Sequence, residues 1–257
     1  MVYKWDVTIP AFQGAQKRRA YVYLPTMYEH QPDRRFPVLY MFDGHNLFFD
    51  KDATYGKSWG LADYLDYTDT PLIVAAVECN TNPDNSRLSE YSPFDFYDHM
   101  LNRKFEGQGK TTMDWYIKSF KPMIDRRYRT LKDRKHTFIG GSSMGGLMSL
   151  YAVSRFNDIF SRAAAFSPSM WVEPAQLITL LKNTTFHSDT VIYMDYGSAE
   201  LRDFPTTLPS LCQVNNILME HAVHLTSRIV PGGTHSEASW EKQLPFAMQT
   251  LFYGLQT

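Results

Sequence analysis

Polar and apolar residues alternate over 2–9 and again over 19–24, the pattern of half-buried strands, and Gly14 with its basic neighbours supplies a turn between them. These two segments predict an antiparallel entry hairpin. The next apolar blocks do not alternate. Residues 37–42, 72–77, 162–166 and 190–195 are short continuous runs, the mark of strands covered on both faces. Residues 224–230 form a last strand. Helical spacing fills the intervals. Ser58 is placed to cap a short helix through Leu61, Leu65 and Tyr67, and 112–128 carries an apolar face despite Pro122. Pro174 opens a helix through Leu181, 208–221 is helical, and a final helix is expected over 237–252. Strands alternating with helices predict an α/β fold: a mainly parallel central sheet, helices on both faces, and the antiparallel hairpin at the amino terminus.

One interval breaks the pattern. Residues 80–110 are rich in Pro, Asn, Ser and Asp, with Tyr91, Phe94, Phe96, Tyr97 and Phe105 among them. A long irregular stretch in a compact domain is either functional or disordered, and the aromatics argue for order. It is expected to be a folded insertion near the active site of a single domain spanning 1–257.

The most informative segment follows the run that starts at His136. Gly141-Ser142-Ser143-Met144-Gly145 satisfies G-x-S-x-G between a strand and a helix. That spacing holds a serine on a strained turn whose neighbours must lack side chains, with a helix amino terminus aimed at developing negative charge. Only Ser143 fits the register, because a nucleophile at Ser142 would require glycine where Met144 stands. A phosphate loop would need a lysine that does not follow.

Composition narrows the function classes. A formal net charge of −1 gives no electrostatic case for nucleic acid or an anionic membrane surface. No apolar run approaches the length of a membrane span, and the first ten residues lack a signal-peptide pattern. Cys79 and Cys212 are too few for a disulfide framework and lack metal-type spacing. The expectation is a soluble cytoplasmic protein that needs no metal or cofactor.

A serine nucleophile needs a base and an acid to orient it, in the chain order Ser, Asp/Glu, His on loops after successive strands. Of eight histidines, His235 alone follows both an acidic loop and the last strand. Asp195, Glu200 and Asp203 compete as the acid; Glu200, just past the Gly197 turn, has the best reach, with Asp195 second. The oxyanion would be met by the N–H groups of Met144 and of His45, in the loop after the 37–42 strand. Trp59, Met170 and Trp171 lie on loops at the same end of the sheet and are candidate substrate contacts.

The segments 37–48, 87–93, 140–146, 166–171 and 233–235 together resemble the putative esterase family of α/β-hydrolases, which is similar to esterase D, feruloyl and acetylxylan esterases and siderophore esterases. The resemblance covers nearly the whole chain. It implies Ser143 as nucleophile, His235 as base and the acid at Glu200, where many members carry Asp, and it suggests that 167–171 lines the acyl side of the pocket. The expected activity is hydrolysis of small soluble esters, short acyl or hydroxycinnamoyl and with carbohydrate as one alcohol, through an acyl-enzyme. The alternatives are an acyltransferase with the same residues and a non-catalytic binding protein of hydrolase fold. The expected partner is a small-molecule ester, with neither nucleic acid nor membrane.

Overall fold

The computed structural model describes residues 1–12 and 16–255, so the turn expected at Gly14 lies outside the described residues. The described residues form ten strands: β1 Val2–Thr8, β2 Lys17–Tyr23, β3 Val38–Met41, β4 Ile73–Val77, β5 Phe96–Asp98, β6 Arg103–Phe105, β7 Thr137–Ser142, β8 Arg162–Phe166, β9 Val191–Gly197 and β10 His224–Val230. Eight of them form one sheet in the order β1-β2-β4-β3-β7-β8-β9-β10. β1 pairs antiparallel with β2 and β2 antiparallel with β4, while every pair from β4 to β10 is parallel. This is the mainly parallel α/β sheet with an antiparallel hairpin that the apolar pattern predicts.

Continuous apolar runs are needed because both faces of the sheet are covered. Val38, Tyr40 and Phe42 enter one core with Ile73, Ala75 and Val77, which also takes Leu147 and Leu150, Leu177 and Leu181, and Leu211 from three helices. Leu39, Met41, Val74 and Ala76 point the other way, against Leu61, Leu65, Leu244 and Met248. Successive side chains on a strand alternate faces, so one run feeds two cores.

Several boundaries differ from the sequence expectation, each for a local reason. The helix Leu61–Tyr67 is preceded by Gly60 at φ 57°, and Ser58 instead bonds Asp50 through both its N–H and its hydroxyl, each at 2.8 Å. The expected 112–128 helix is really Gly109–Trp115 and Lys121–Arg127 joined by a π turn over Tyr116–Phe120. Pro122 has no N–H for the carbonyl of Lys118, and the backbone widens ahead of it. Pro245 likewise has none for Glu241, and the final helix divides into Glu237–Glu241 and Leu244–Leu251.

The 80–110 insertion is ordered. It contains the helix Ser86–Glu90 and the β5–β6 hairpin, whose Phe96 and Phe105 rings stack at 5.2 Å between centroids. Two ion pairs anchor that helix. Arg87 grips Asp43 after β3, and Arg18 of β2 meets Glu90 at 3.0 Å with both side chains buried.

Candidate active site

β7 ends at Ser142 and the helix Met144–Arg155 begins two residues on, so Ser143 makes the turn by itself, at φ 59° and ψ −122°. A non-glycine residue at positive φ is strained and persists only where its surroundings fix it. Here its N–H donates to the carbonyl of Phe166 at 2.9 Å. The flanking glycines are required by close approach. A Cβ on Gly141 would stand 2.9 Å from the carbonyl carbon of Gly145, and one on Gly145 would stand 3.0 Å from Cβ of Phe42. The Ser143 hydroxyl lies 3.3 Å from that of Ser169.

On the neighbouring loops, β9 continues through Gly197, and Glu200 sits in the first turn of the helix Ser198–Asp203 rather than in the loop expected there. A Cβ on Gly197 would collide with the carbonyl oxygen of Gly233. Glycine at this point therefore lets the loop after β10 lie against the end of β9. The contact brings His235 Nδ1 to 2.7 Å from Glu200 Oε2. A carboxylate only accepts, so Nδ1 carries the proton and Nε2 is left with its lone pair. Glu200 Oε1 accepts from the Ser167 hydroxyl at 2.7 Å and from the Gly197 N–H at 3.0 Å. Burial alone would raise its pKa; the hydrogen bonds from His235, Ser167 and Gly197 outweigh burial and hold the carboxyl below its ordinary range.

Asp195, the second candidate for the acid, is not brought to His235. Its oxygens take the Tyr193 hydroxyl at 2.6 Å and the Ser167 N–H at 3.2 Å. Burial pushes its pKa up to about 6, against the pull of those two bonds.

Ser143 and His235 line one cleft of about 610 Å³, together with Ser142, Asp43, His45, Asn46, Asp52, Thr54, Asn80, Asn82, Asn85 and Trp240 among others. Met144 and His45 both occupy first-turn helix positions, the latter in the short 3-10 turn Gly44–Asn46. First-turn N–H groups have no intrahelical acceptor and are open to a ligand. The His45 ring is buried, with Nε2 at 2.9 Å from the Thr54 hydroxyl and Nδ1 without a partner among the described residues. Asp43, His45 and Cys79 bring ligand-type atoms within 4.8 Å of one another. They suit a metal poorly. Both Asp43 oxygens are held by Arg87, at 2.8 and 2.7 Å, and burial keeps the Cys79 thiol protonated.

A family model described as Putative esterase matches residues 14–251. The chain belongs to that family. It is accordingly a carboxylic ester hydrolase by family. The Bacillus subtilis (strain 168) protein YbbA is 26% identical over 251 residues, covering 93% of this chain and 94% of that one. Among solved structures, an IroE-like serine hydrolase from Shewanella oneidensis superposes with a TM-score of 0.77 at 17% identity, covering 100% of this chain and 82% of that one. A ferulic acid esterase superposes with a TM-score of 0.69 at 17% identity, covering 98% and 97%. At such identities the likeness is one of fold.

Of the expected substrate contacts, Trp59, Met170 and Trp171, none is among the residues that line the cleft. Trp59 is only 2% exposed, wedged between Phe166 and Trp240, and Met170 is fully buried; neither presents a face to the cleft. Trp171 is 49% exposed, packs edge-on against Phe96 of the insertion, and lies outside the cleft lining. The large aromatics near the site were drawn inward because each can bury more apolar area in the core than a shallow polar cleft offers. Ser167 is also buried rather than lining a pocket. At φ 40° it takes the Trp240 indole N–H on its hydroxyl at 3.0 Å while donating to Glu200. The Trp240 ring stands edge-on to the His235 imidazole, 5.0 Å between centroids. Sequence reasoning missed this link and the Arg87–Asp43 pair, since neither has a local spacing signature. Among the described residues, no helix is long and apolar enough to cross a membrane.

Proposed function

We propose that the protein is a serine carboxylesterase working through an acyl-enzyme, with Ser143 as nucleophile, His235 as base and Glu200 as the acid. The observation that carries this reading is the 2.7 Å bond from His235 Nδ1 to Glu200, made on the wall of the cleft that also exposes the strained Ser143. Ser143 Oγ attacks the ester carbonyl carbon while Nε2 of His235 takes its proton. The resulting imidazolium is stabilised by Glu200, and the oxyanion is met by the N–H groups of Met144 and His45. Each such donor is worth about 10²–10³-fold in rate. Collapse breaks the bond to the alcohol oxygen, which leaves with the proton from His235. Water, deprotonated by the same nitrogen, then releases the acid.

The substrate we propose is a small, water-soluble ester of a hydroxyl-bearing alcohol, with a short acyl or hydroxycinnamoyl group. Support comes from the cleft's volume and from the amides and hydroxyls of Asn46, Thr54, Asn80, Asn82 and Asn85 along it. A long apolar chain would shut this polar lining off from water without offering it new hydrogen bonds. Two free cysteines, one of them buried, are consistent with action in the cytoplasm.

The test is labelling with a fluorophosphonate probe, which reacts only with an activated serine, alongside hydrolysis of p-nitrophenyl acetate. Ser143→Ala is expected to abolish both, with kcat down by about 10⁶-fold, while Ser142→Ala keeps labelling and most of the rate. Equal loss in both variants, each with an unchanged circular dichroism spectrum, would assign the wrong nucleophile; failure of the unmutated protein to label would remove the enzymatic reading.

A further inference from the structure

Among the carboxylates that line the cleft, one differs from the rest. Asp43 is held by Arg87, Asp52 by Lys4, and Glu78 accepts the N–H of Arg19 at 3.2 Å. Glu237 has no such partner. It opens the helix Glu237–Glu241, is only 6% exposed, and lines the cleft beside His235. Among the described residues, its carboxyl has no contact of that kind beyond its own backbone N–H. Burial first, and then the charge of Asp43, raise its pKa against the opposing pull of His235 and Arg87. A largely buried carboxyl on the cleft lining, without a protein partner, is free to take a hydrogen bond from whatever occupies the cleft.

The chemistry of the proposed reaction says which part of a substrate comes near it. His235 gives its proton to the departing alcohol oxygen, so the alcohol half of the ester must lie over the imidazole. The acyl oxygen points instead toward Met144 and the loop after β3. Glu237 is two residues beyond His235 and lines the same cleft, so it is placed to meet substituents of the alcohol that leaves over the imidazole.

We propose that Glu237 is a specificity-determining residue that hydrogen-bonds a hydroxyl group on the alcohol half of the ester, next to the scissile bond. A hydroxyl suits this position because it can donate to a carboxylate and accept from a protonated carboxyl, so the contact survives either state of Glu237. An anionic substituent would meet Glu237 and the acidic lining around it, and a methyl group would leave the carboxyl unpaired. The inference rests on the serine-esterase reading of the same site.

The experiment uses two esters matched in size, 2-hydroxyethyl butyrate and propyl butyrate, which differ by a hydroxyl in place of a methyl. The unmutated protein is expected to favour the hydroxyethyl ester in kcat/KM by about tenfold or more. In Glu237→Met, which keeps length but forms no strong hydrogen bond, that ratio is expected to fall about ten- to hundredfold. Glu237→Gln, which can still accept and donate, should fall in between. A ratio near one in the unmutated protein overturns the proposal without any variant. So does a ratio in folded Glu237→Met that equals the unmutated value, or equal proportional losses on both esters, which would mark a purely structural role. Fluorophosphonate labelling separates the two failures. Absence of labelling at Ser143 takes away both readings, whereas labelling with an unchanged ratio takes away only this one.

Discussion

The cleft has two walls built on different physics. The wall formed by the ends of β7, β8, β9 and β10 carries Ser143, Ser167, Glu200, His235 and Trp240, and it is held by hydrogen bonds of 2.7–3.0 Å, three of them onto the Glu200 carboxylate and one from Trp240 to the Ser167 hydroxyl. The opposite wall, at the ends of β3 and β4, is held by two ion pairs that reach into the insertion, Arg87 to Asp43 and Arg18 to Glu90. In the proposed mechanism the first wall must keep a proton-transfer chain aligned, for which short directional bonds are suited. The second must keep a loop and a helix in place. Buried charge pairs can do that, but they leave a large penalty if either partner is lost. Damage to the first wall should therefore appear in rate, and damage to the second in stability.

The largest effect expected on the hydrogen-bonded wall is that of Glu200→Ala. Loss of a triad acid costs about 10⁴-fold in kcat, because the imidazole loses both its tautomer and the charge that stabilises it. Asp195→Ala should lose far less, since Asp195 contacts Tyr193 and Ser167 rather than His235. Steady-state kinetics on a chromogenic ester, with thermal melts to verify folding, compares the two. A larger drop in folded Asp195→Ala would reverse the assignment of the acid.

The two walls also differ in how far the sequence discloses them. The parallel sheet and the elbow were legible because their signals are local: apolar runs for strands, and glycines two residues either side of Ser143 for a turn where Gly141 and Gly145 nearly touch. Strand order and the triad order made Glu200 and His235 legible as a pair, although the helix that carries Glu200 was not. The ion-paired wall left no comparable trace. Asp43 and Arg87 are 44 residues apart, and Arg18 and Glu90 are 72 apart. Nothing in the composition around Arg18, itself on a strand of basic residues, distinguishes a buried cation from an exposed one. The placement of the aromatic candidates was illegible for a related reason. Position on a loop at the correct end of the sheet does not say whether Trp59 turns toward solvent or toward Phe166 and Trp240.

A smaller expected effect tests the ion-paired wall. Glu90→Ala removes the counter-charge from Arg18, whose guanidinium is buried and whose Nε has no partner among the described residues. Breaking such a pair costs about 3–5 kcal/mol. Chemical denaturation followed by tryptophan fluorescence should show that loss, while activity measured well below the unfolding transition drops far less than in Glu200→Ala. If kcat collapsed at an unchanged midpoint, the insertion helix would be serving the chemistry and the contrast between the walls would fail.

Asp195 sharpens the contrast from inside the hydrogen-bonded wall, because it is a buried carboxyl there that, among the described residues, makes no ion pair. Its folded-state pKa, about 6, lies above the ordinary aspartate value of 3.8, mainly through burial. Between those values the folded state binds more protons than the unfolded chain, so stability falls as pH rises through that window. The favourable contribution is full below the unfolded value and gone above the folded one, a change of about 3 kcal/mol at most. Glu200 works in the opposite sense: its lowered pKa stabilises the fold above the ordinary carboxylate range, and that contribution is lost as pH falls. Asp195→Asn keeps the shape but cannot ionise, and it leaves Glu200 in place, so subtracting the unmutated stability curve isolates the Asp195 contribution. The variant should gain on the unmutated protein as pH is raised from 4 to 7, by up to about 3 kcal/mol, with the offset from its altered bonds to Tyr193 and Ser167 constant across the range. Urea denaturation at pH 4, 5, 6 and 7 measures this directly. A difference that stays flat with pH would mean that Asp195 is ionised throughout, and that the hydrogen bonds from Tyr193 and Ser167 offset its burial as fully as Arg87 does for Asp43.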